Sequence, residues 1–301
     1  MTVAPTAAPG GQVYDRGYRP YEGKRGGRGA VVRALWIASM RRALGLRRAW
    51  RQKLLPWGLL VVVSIPAIVA VGIAYVTRNT PGRDFRFISY QEYVGVSTAL
   101  LLFVAITAPD IMCPDRRQRV LPLILSRPLT GLDYAFAKVA SIFTIVFAFG
   151  FLPQVLLFVG RMLVSDSALT YFNGHLDVLW KVPLSVAVLA LFYAVLGTAC
   201  ASVTNRRVVA AVTFLGILLV SSVLSHAVTE GPNGASHSLL GLLDLPVLPL
   251  YLRDLIFEGH VGRDMLITGE AGAGPLAIIS YLAVIAAGAG VLFYRYRWIE
   301  R

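Results

Sequence analysis

"PDRRQRVLPLILSRPLTGLDYAFAK", residues 114–138, places five basic side chains (Arg116, Arg117, Arg119, Arg127, Lys138) and three prolines (Pro114, Pro122, Pro128) in 25 positions. Between them lies a short apolar core of Val120, Leu121, Leu123, Ile124 and Leu125. Such a segment is too short to span a bilayer, which takes roughly 20 apolar residues. It is also too apolar to lie free in water, so it calls for a protein groove. What surrounds it decides the fold.

On both sides the chain is almost free of charge. Uncharged runs cover 54–77, 93–109, 139–160, 182–205, 208–229 and 271–294. Five are 22 to 24 residues long and one is 17. Across the 301 residues only 15% are charged and 56% hydrophobic, whereas soluble domains carry about 25% charged residues. Lipid is therefore the expected solvent. The runs lack the alternation of a closed barrel, so the sequence predicts an all-α membrane protein with six spans at about 54–77, 91–112, 139–162, 182–204, 208–229 and 274–295. A seventh apolar stretch, "SLLGLLDLPVLPLYLRDLIF" at 238–257, holds Asp244, Pro246, Pro249, Arg253 and Asp254. Charges and prolines suit it poorly to face lipid. Residues 238–258 are expected as a re-entrant or interfacial element on the outer side.

Lysine and arginine set orientation. With six spans, 22 of the 29 basic residues fall on the side holding both termini, the loop 113–138 and the turn 203–207. Seven fall opposite: Arg78, Arg83, Arg86, Arg161, Lys181, Arg253 and Arg263. Both termini are expected in the cytoplasm, in a multi-pass protein of the cytoplasmic membrane. The net charge of +13 then reflects topology rather than nucleic-acid binding, because the basic residues flank spans. The first long apolar run begins at Leu54, too far in for a cleavable signal peptide. Residues 1–29 hold seven glycines and three prolines and are expected to be a disordered cytoplasmic tail. Tyr14, Tyr18 and Tyr21 alternate there with arginines, as a solvated tail near anionic lipid or a clip onto a partner.

Residues 30–53 follow a helical period. Val32, Leu35, Trp36, Ser39, Ala43, Leu46 and Trp50 share one face, with Arg41 and Arg48 opposite. This predicts an amphipathic elbow helix in the inner interface, or else a cytoplasmic helix packed on protein. The elbow contact residues are Trp36, Arg41, Arg48 and Trp50.

Catalytic chemistry is not visible. "EGKRGG" has a lysine but neither the glycine spacing nor the hydroxyl of a phosphate-binding loop. No HExxH or GxSxG is present, and the four histidines are scattered; no metal site is expected. Cys113 and Cys200 are read as small buried hydrophobes rather than a disulfide. Pro66 and Pro153 sit within spans one and three, "LGTACAS" and "AAGAG" are small-residue faces, and buried carboxylates are few. That argues against a secondary carrier, which needs buried charges and internal repeats. Glu92 and Asp110 bracket span two. They are read as a charge relay at the span ends, and Asp110 and Asp115 are expected to pair with basic residues of the elbow or with Arg116 and Arg119, locking the elbow to the loop.

The segment 115–138 resembles the signature region of ABC-2 type permeases, the membrane subunits of one class of ATP-binding-cassette exporters. The matching residues are Asp115, Arg116, Arg119, Leu121, Pro122, Leu123, Leu125, Ser126, Arg127, Pro128, Leu129, Asp133, Tyr134 and Lys138. Gly131 stands where the family has a second arginine, and Ala137 replaces its glycine. The resemblance extends to the elbow, the "SVTNRR" turn, six spans and the interrupted element before the last. It implies a permease that pairs with a second copy or a paralogous permease and binds separate ATPase subunits. ATP and magnesium would sit on those subunits, with no cofactor in this chain. It further implies that 113–138 is a coupling loop, with Asp115, Arg116, Arg117, Arg119, Leu121, Leu123, Leu125 and Arg127 at the ATPase. The expected function is export of a lipid-like, drug-like or other amphiphilic substrate. The alternative is a polytopic membrane protein outside transport, such as an assembly factor or a lipid-handling membrane enzyme.

Overall fold

The computed structural model describes residues 26–46, 50–77, 88–94, 97–126, 129–229, 238–261 and 272–297. Every element among them is helical: α1 (Arg28–Ala43), α2 (Trp50–Val76), α3 (Tyr90–Val94), α4 (Ser97–Arg117), α5 (Leu121–Leu125), α6 (Gly131–Val164), α7 (Ala168–Gly174), α8 (Val178–Val203), α9 (Arg207–Thr229), a 3-10 turn (Ser238–Leu243), α10 (Leu248–Glu258) and α11 (Ala273–Arg297). Six helical stretches are long and apolar enough to cross a membrane, with α3 and α4 together forming the second. The chain is a multi-pass membrane protein in its construction.

The middle of the bundle is α8. Within its apolar window 72% of residues are buried, against 17–22% in α2, α9 and α11. It packs on α6, α4, α11, α10 and α9, and its small residues Gly197, Ala199 and Ala201 let neighbours approach. A Cβ on Gly197 would lie 2.5 Å from a Val104 methyl of α4, and one on Gly288 of α11 2.7 Å from Val195. Close approach through small residues replaces the hydrophobic drive that is missing between helices in lipid. The outer helices turn leucine, isoleucine and valine outward: Val61, Val62 and Ile68 on α2, Leu219 and Val220 on α9, Ile279 and Leu282 on α11. In water these faces would be a sticky surface far beyond what a monomer exposes.

Several boundaries differ from those read off the sequence, each for a local reason. The elbow helix ends at Ala43, not 53. Gly45, at φ +66°, lets Leu46 N–H reach the Arg41 carbonyl and its own N–H reach that of Arg42, a left-handed helix stop that glycine favours. Trp50 therefore opens α2 and is two-thirds exposed. Pro114 lies inside α4, which runs to Arg117. The third-span helix begins at Gly131, eight residues earlier than the charge-free run suggests. Thr130 Oγ1 accepts from Asp133 N–H at 3.2 Å and Asp133 accepts from Thr130 N–H at 3.0 Å, a reciprocal cap that fixes the start. Of the expected 113–138 loop, only 118–130 lies outside α4 and α6, and among its described residues Leu121–Leu125 form α5.

The 238–258 segment forms the 3-10 turn and α10, packed on α9, α8, α11 and α3. Its charges turn inward. Arg253 donates through Nε to Asp254 at 2.7 Å, Gln91 Nε2 reaches Asp254 at 2.8 Å, and Arg253 Nη1 donates to the Gln91 carbonyl at 3.2 Å. Buried charges are tolerable only when matched in this way.

Candidate functional site: a charged node beneath a displayed helix

The described residues of 114–138 lie where α1, α4, α6 and α11 meet. Asp115, 5% exposed, is the last acid of α4. Its Oδ2 accepts from Lys138 Nζ at 2.6 Å and from the Tyr134 hydroxyl at 2.9 Å, both on α6 one turn apart. Its Oδ1 accepts from Arg42 Nη1 of α1 at 2.7 Å. Three donors from two other helices thus converge on one carboxylate, which offsets the cost of burying it. Lys138, itself 2% exposed, also donates to the Ile111 carbonyl at 3.3 Å. The ring of Tyr134 packs on Tyr296 of α11 with centroids 5.3 Å apart. The end of α11 comes so near that a Cβ on Gly131 would lie 2.6 Å from the Tyr296 carbonyl oxygen. No arginine fits at 131 in this packing.

A second set of contacts ties α4 to the turn between α8 and α9. Arg116 donates to the Ser202 carbonyl, and Arg207 pairs with Asp110. Cys113 Sγ lies 3.6 Å from the Thr204 carbonyl oxygen. Asp110 thus finds its cation on α9 and Asp115 finds one on α1 as well as Lys138 on α6. Glu92 stands at the other end of span two, where it caps α3: Ser89 N–H donates to it at 2.8 Å while Glu92 N–H donates to Ser89 Oγ at 3.0 Å. Glu92 thus pairs within its own turn at α3, and Asp110 pairs with α9.

From this node α5 projects. After Arg117 the chain reverses through Arg119, at φ +53°, with Val120 N–H bonded to the Asp115 carbonyl and Arg119 N–H to that of Arg116. This is the same helix stop that glycine makes at position 45. A side chain in the left-handed region costs about 1–2 kcal/mol, and such strain gathers at functional positions. The residues of α5 then divide. Leu121 is buried, Leu125 half-buried, and Pro122 and Leu123 face outward, Leu123 at 73% exposure. Arg117 and Arg119 are exposed beside it.

The expected site residues therefore separate into two groups. Asp115, Arg116 and Leu121 are internal and hold the element; Arg117, Arg119, Leu123 and in part Leu125 are presented. Arg127 and Arg48 lie outside the described residues. On α1, Trp36 is half-buried and its carbonyl accepts from Ser141 Oγ at 3.0 Å, while Arg41 is exposed. Lys138 and Tyr134, the donors to Asp115 from α6, were not expected as its partners, although the spacing of four between them was legible. Also unforeseen is Asp244, fully buried, whose Oδ2 takes Ser222 Oγ at 3.3 Å and lies 3.7 Å from His226 Nε2, with Oδ1 unpartnered. Both cysteines are free and buried. Among the described residues no cluster of histidine, cysteine and acid is placed to hold a metal.

The chain matches no known family model. It also matches no curated protein sequence.

Proposed function

We propose that this chain is the membrane-spanning subunit of an ATP-driven exporter of the ABC-2 type, and that α5 is the contact through which separate ATPase subunits drive it. The observation that carries the reading is the contrast within 110–138. Leu123 is held open to solvent on a five-residue helix, while the base of that helix is clamped by Asp115 to α1 and α6 and by Arg116 to α8. A displayed apolar residue on a flexible loop would bind but transmit nothing. Displayed on a clamped base, it passes a push to the elbow and to three spans together.

Charge supports the same orientation. Arg117 and Arg119 flank Leu123, at the bundle end that carries most of the lysine and arginine, so α5 faces the cytoplasm, where ATP is. The apolar character of the spans suits an amphiphilic substrate, lipid-like or drug-like, and the exposed faces of α2, α9 and α11 leave room for a second permease. The 3-10 turn and α10 serve as the outer re-entrant element, and α1 as the interfacial elbow. ATP and magnesium belong to the partner.

The test is co-purification from the native membrane with ATP turnover measured on the complex. Leu123→Asp, at an exposed position, leaves the fold intact and should release the ATPase. Leu121 is unsuitable for this test because it is buried in the bundle. An intact complex with normal turnover in Leu123→Asp removes α5 from the coupling role, and a parent chain that brings down no ATPase leaves it as a membrane protein outside transport.

A further inference from the structure

Beside α5, between the end of α4 and the α8–α9 turn, lies a cavity of about 300 Å³ lined by Cys113, Pro114, Arg117, Gln118, Asn205 and Arg207. Its polar side chains carry N–H donors: two guanidiniums and two carboxamides. No acid lines it. Arg207 is tied to Asp110, which lies outside the lining. The side chains of Arg117, Gln118 and Asn205 make no hydrogen bond or ion pair among the described residues. All three are exposed to solvent and border one concave space. A fourth contribution comes from the backbone. Helix α9 begins at Arg207, so its first-turn N–H groups, which have no partner within the helix, and the positive end of its dipole lie at the rim.

We propose that this cavity is a phosphate-binding site. A guanidinium with five N–H donors, a helix start and carboxamide N–H groups together suit a tetrahedral anion with several acceptor oxygens. The lining holds no matching acceptor for a ligand ammonium beyond the two carboxamide oxygens. The position favours a membrane source. Arg117 and Gln118 end a spanning helix, at the depth where phospholipid phosphates lie, and basic pockets between spans take anionic headgroups. The phosphodiester of an anionic phospholipid would stand against Arg117 with its chains along the apolar faces of α4 and α9. A free phosphate group of a soluble molecule is the other source of the same chemistry. The site does not depend on an ATPase partner, so its failure leaves the function proposed above standing.

The experiment uses the full chain purified in neutral detergent. Binding of dihexanoyl-phosphatidylglycerol and of inorganic phosphate is followed by native mass spectrometry and by thermal midpoint, with dihexanoyl-phosphatidylcholine and acetate as comparisons. The variants are Arg117→Gln, Asn205→Leu and, as an exposed arginine outside the cavity lining, Arg41→Gln. Affinity for the anionic ligand should fall about tenfold in Arg117→Gln, the scale of one hydrogen bond to a charged group. It should fall less in Asn205→Leu and stay unchanged in Arg41→Gln. Tighter binding of phosphatidylglycerol than of inorganic phosphate assigns the site to lipid; equal binding assigns it to a free phosphate group. Equal loss in Arg41→Gln reduces the effect to general surface charge and overturns the proposal. So does acetate competing as well as phosphate, which would make the cavity a socket for a carboxylate.

Discussion

Replacing Asp115 tests the clamp under α5. Its carboxylate and the Lys138 ammonium are 2.6 Å apart, with side chains 7% and 3% exposed. Asp115→Asn keeps the shape and an acceptor for Tyr134 but removes the charge, leaving Lys138 buried without a counterion. Breaking a buried pair from one side costs about 3–5 kcal/mol, which at about 1.4 kcal/mol per decade is a fall of roughly 10²- to 4 × 10³-fold in the folding constant. Arg42, 26% exposed, reaches water and adds little. Lys138→Met is the gentler change, because Asp115 retains Arg42 and Tyr134; about 1–3 kcal/mol is expected, the cost of lost hydrogen bonds to a charged group. The double variant Asp115→Asn/Lys138→Met has no buried charge in the pair and should return to within about 1 kcal/mol of the parent, since apolar replacement of a buried pair is often neutral. Sodium dodecyl sulfate titration from mixed micelles, followed by far-ultraviolet circular dichroism, measures all four. A cost below about 1 kcal/mol for Asp115→Asn, or a double variant no better than Asp115→Asn alone, refutes the clamp.

Gly131→Ala places a Cβ 2.6 Å from the Tyr296 carbonyl, against backbone that cannot swing away; the same titration should show a loss of about 1–3 kcal/mol, and no loss would mean that α11 is not seated on α6. Burial raises the Asp244 carboxyl above the usual carboxylate range, opposed by His226 and by the Ser222 hydrogen bond. The folded state then holds that proton more tightly than the unfolded chain, so stability should fall as pH climbs from the ordinary carboxyl range through the raised value. Asp244→Asn should flatten this part of the profile of thermal midpoint against pH, and an unchanged profile excludes Asp244 as its source. A cysteine at Gln118 and one at Asn173, both exposed, should label from opposite faces of the membrane with an impermeant maleimide, only Asn173→Cys reacting in intact cells; reaction of both from outside contradicts the six-span arrangement.

The spans were legible because lipid forbids charge over some 20 residues, and the uncharged runs mark where the long helices lie. Their ends were less so. Span three looked shorter because Lys138 stops the uncharged run, yet Lys138 is inside the helix, neutralised by Asp115 across 23 positions of sequence. The Thr130–Asp133 cap was the local signal for the true start, as Gly45 was for the end of α1. The site was legible in its residue types and less so in their direction. Composition alone does not reveal that Asp115 turns inward to Arg42, Tyr134 and Lys138 while Leu123 turns out; a reversal at Arg119 sets that division, and arginine is not a residue that announces a left-handed turn. In the 238–258 segment Asp244, Arg253 and Asp254 were legible as charges, and the fold buries all three. Their partners Gln91 and Ser222 come from other helices, so only the fold brings them together.

The central claim is that α5 is presented to an ATPase. A photo-crosslinking residue installed at Leu123, activated in native membranes, tests it most directly. The account predicts one dominant adduct to a protein that carries a phosphate-binding loop, diminished in parallel when Arg117 and Arg119 are both changed to glutamate. Adducts confined to lipid, or to a protein without nucleotide-binding motifs, would contradict it.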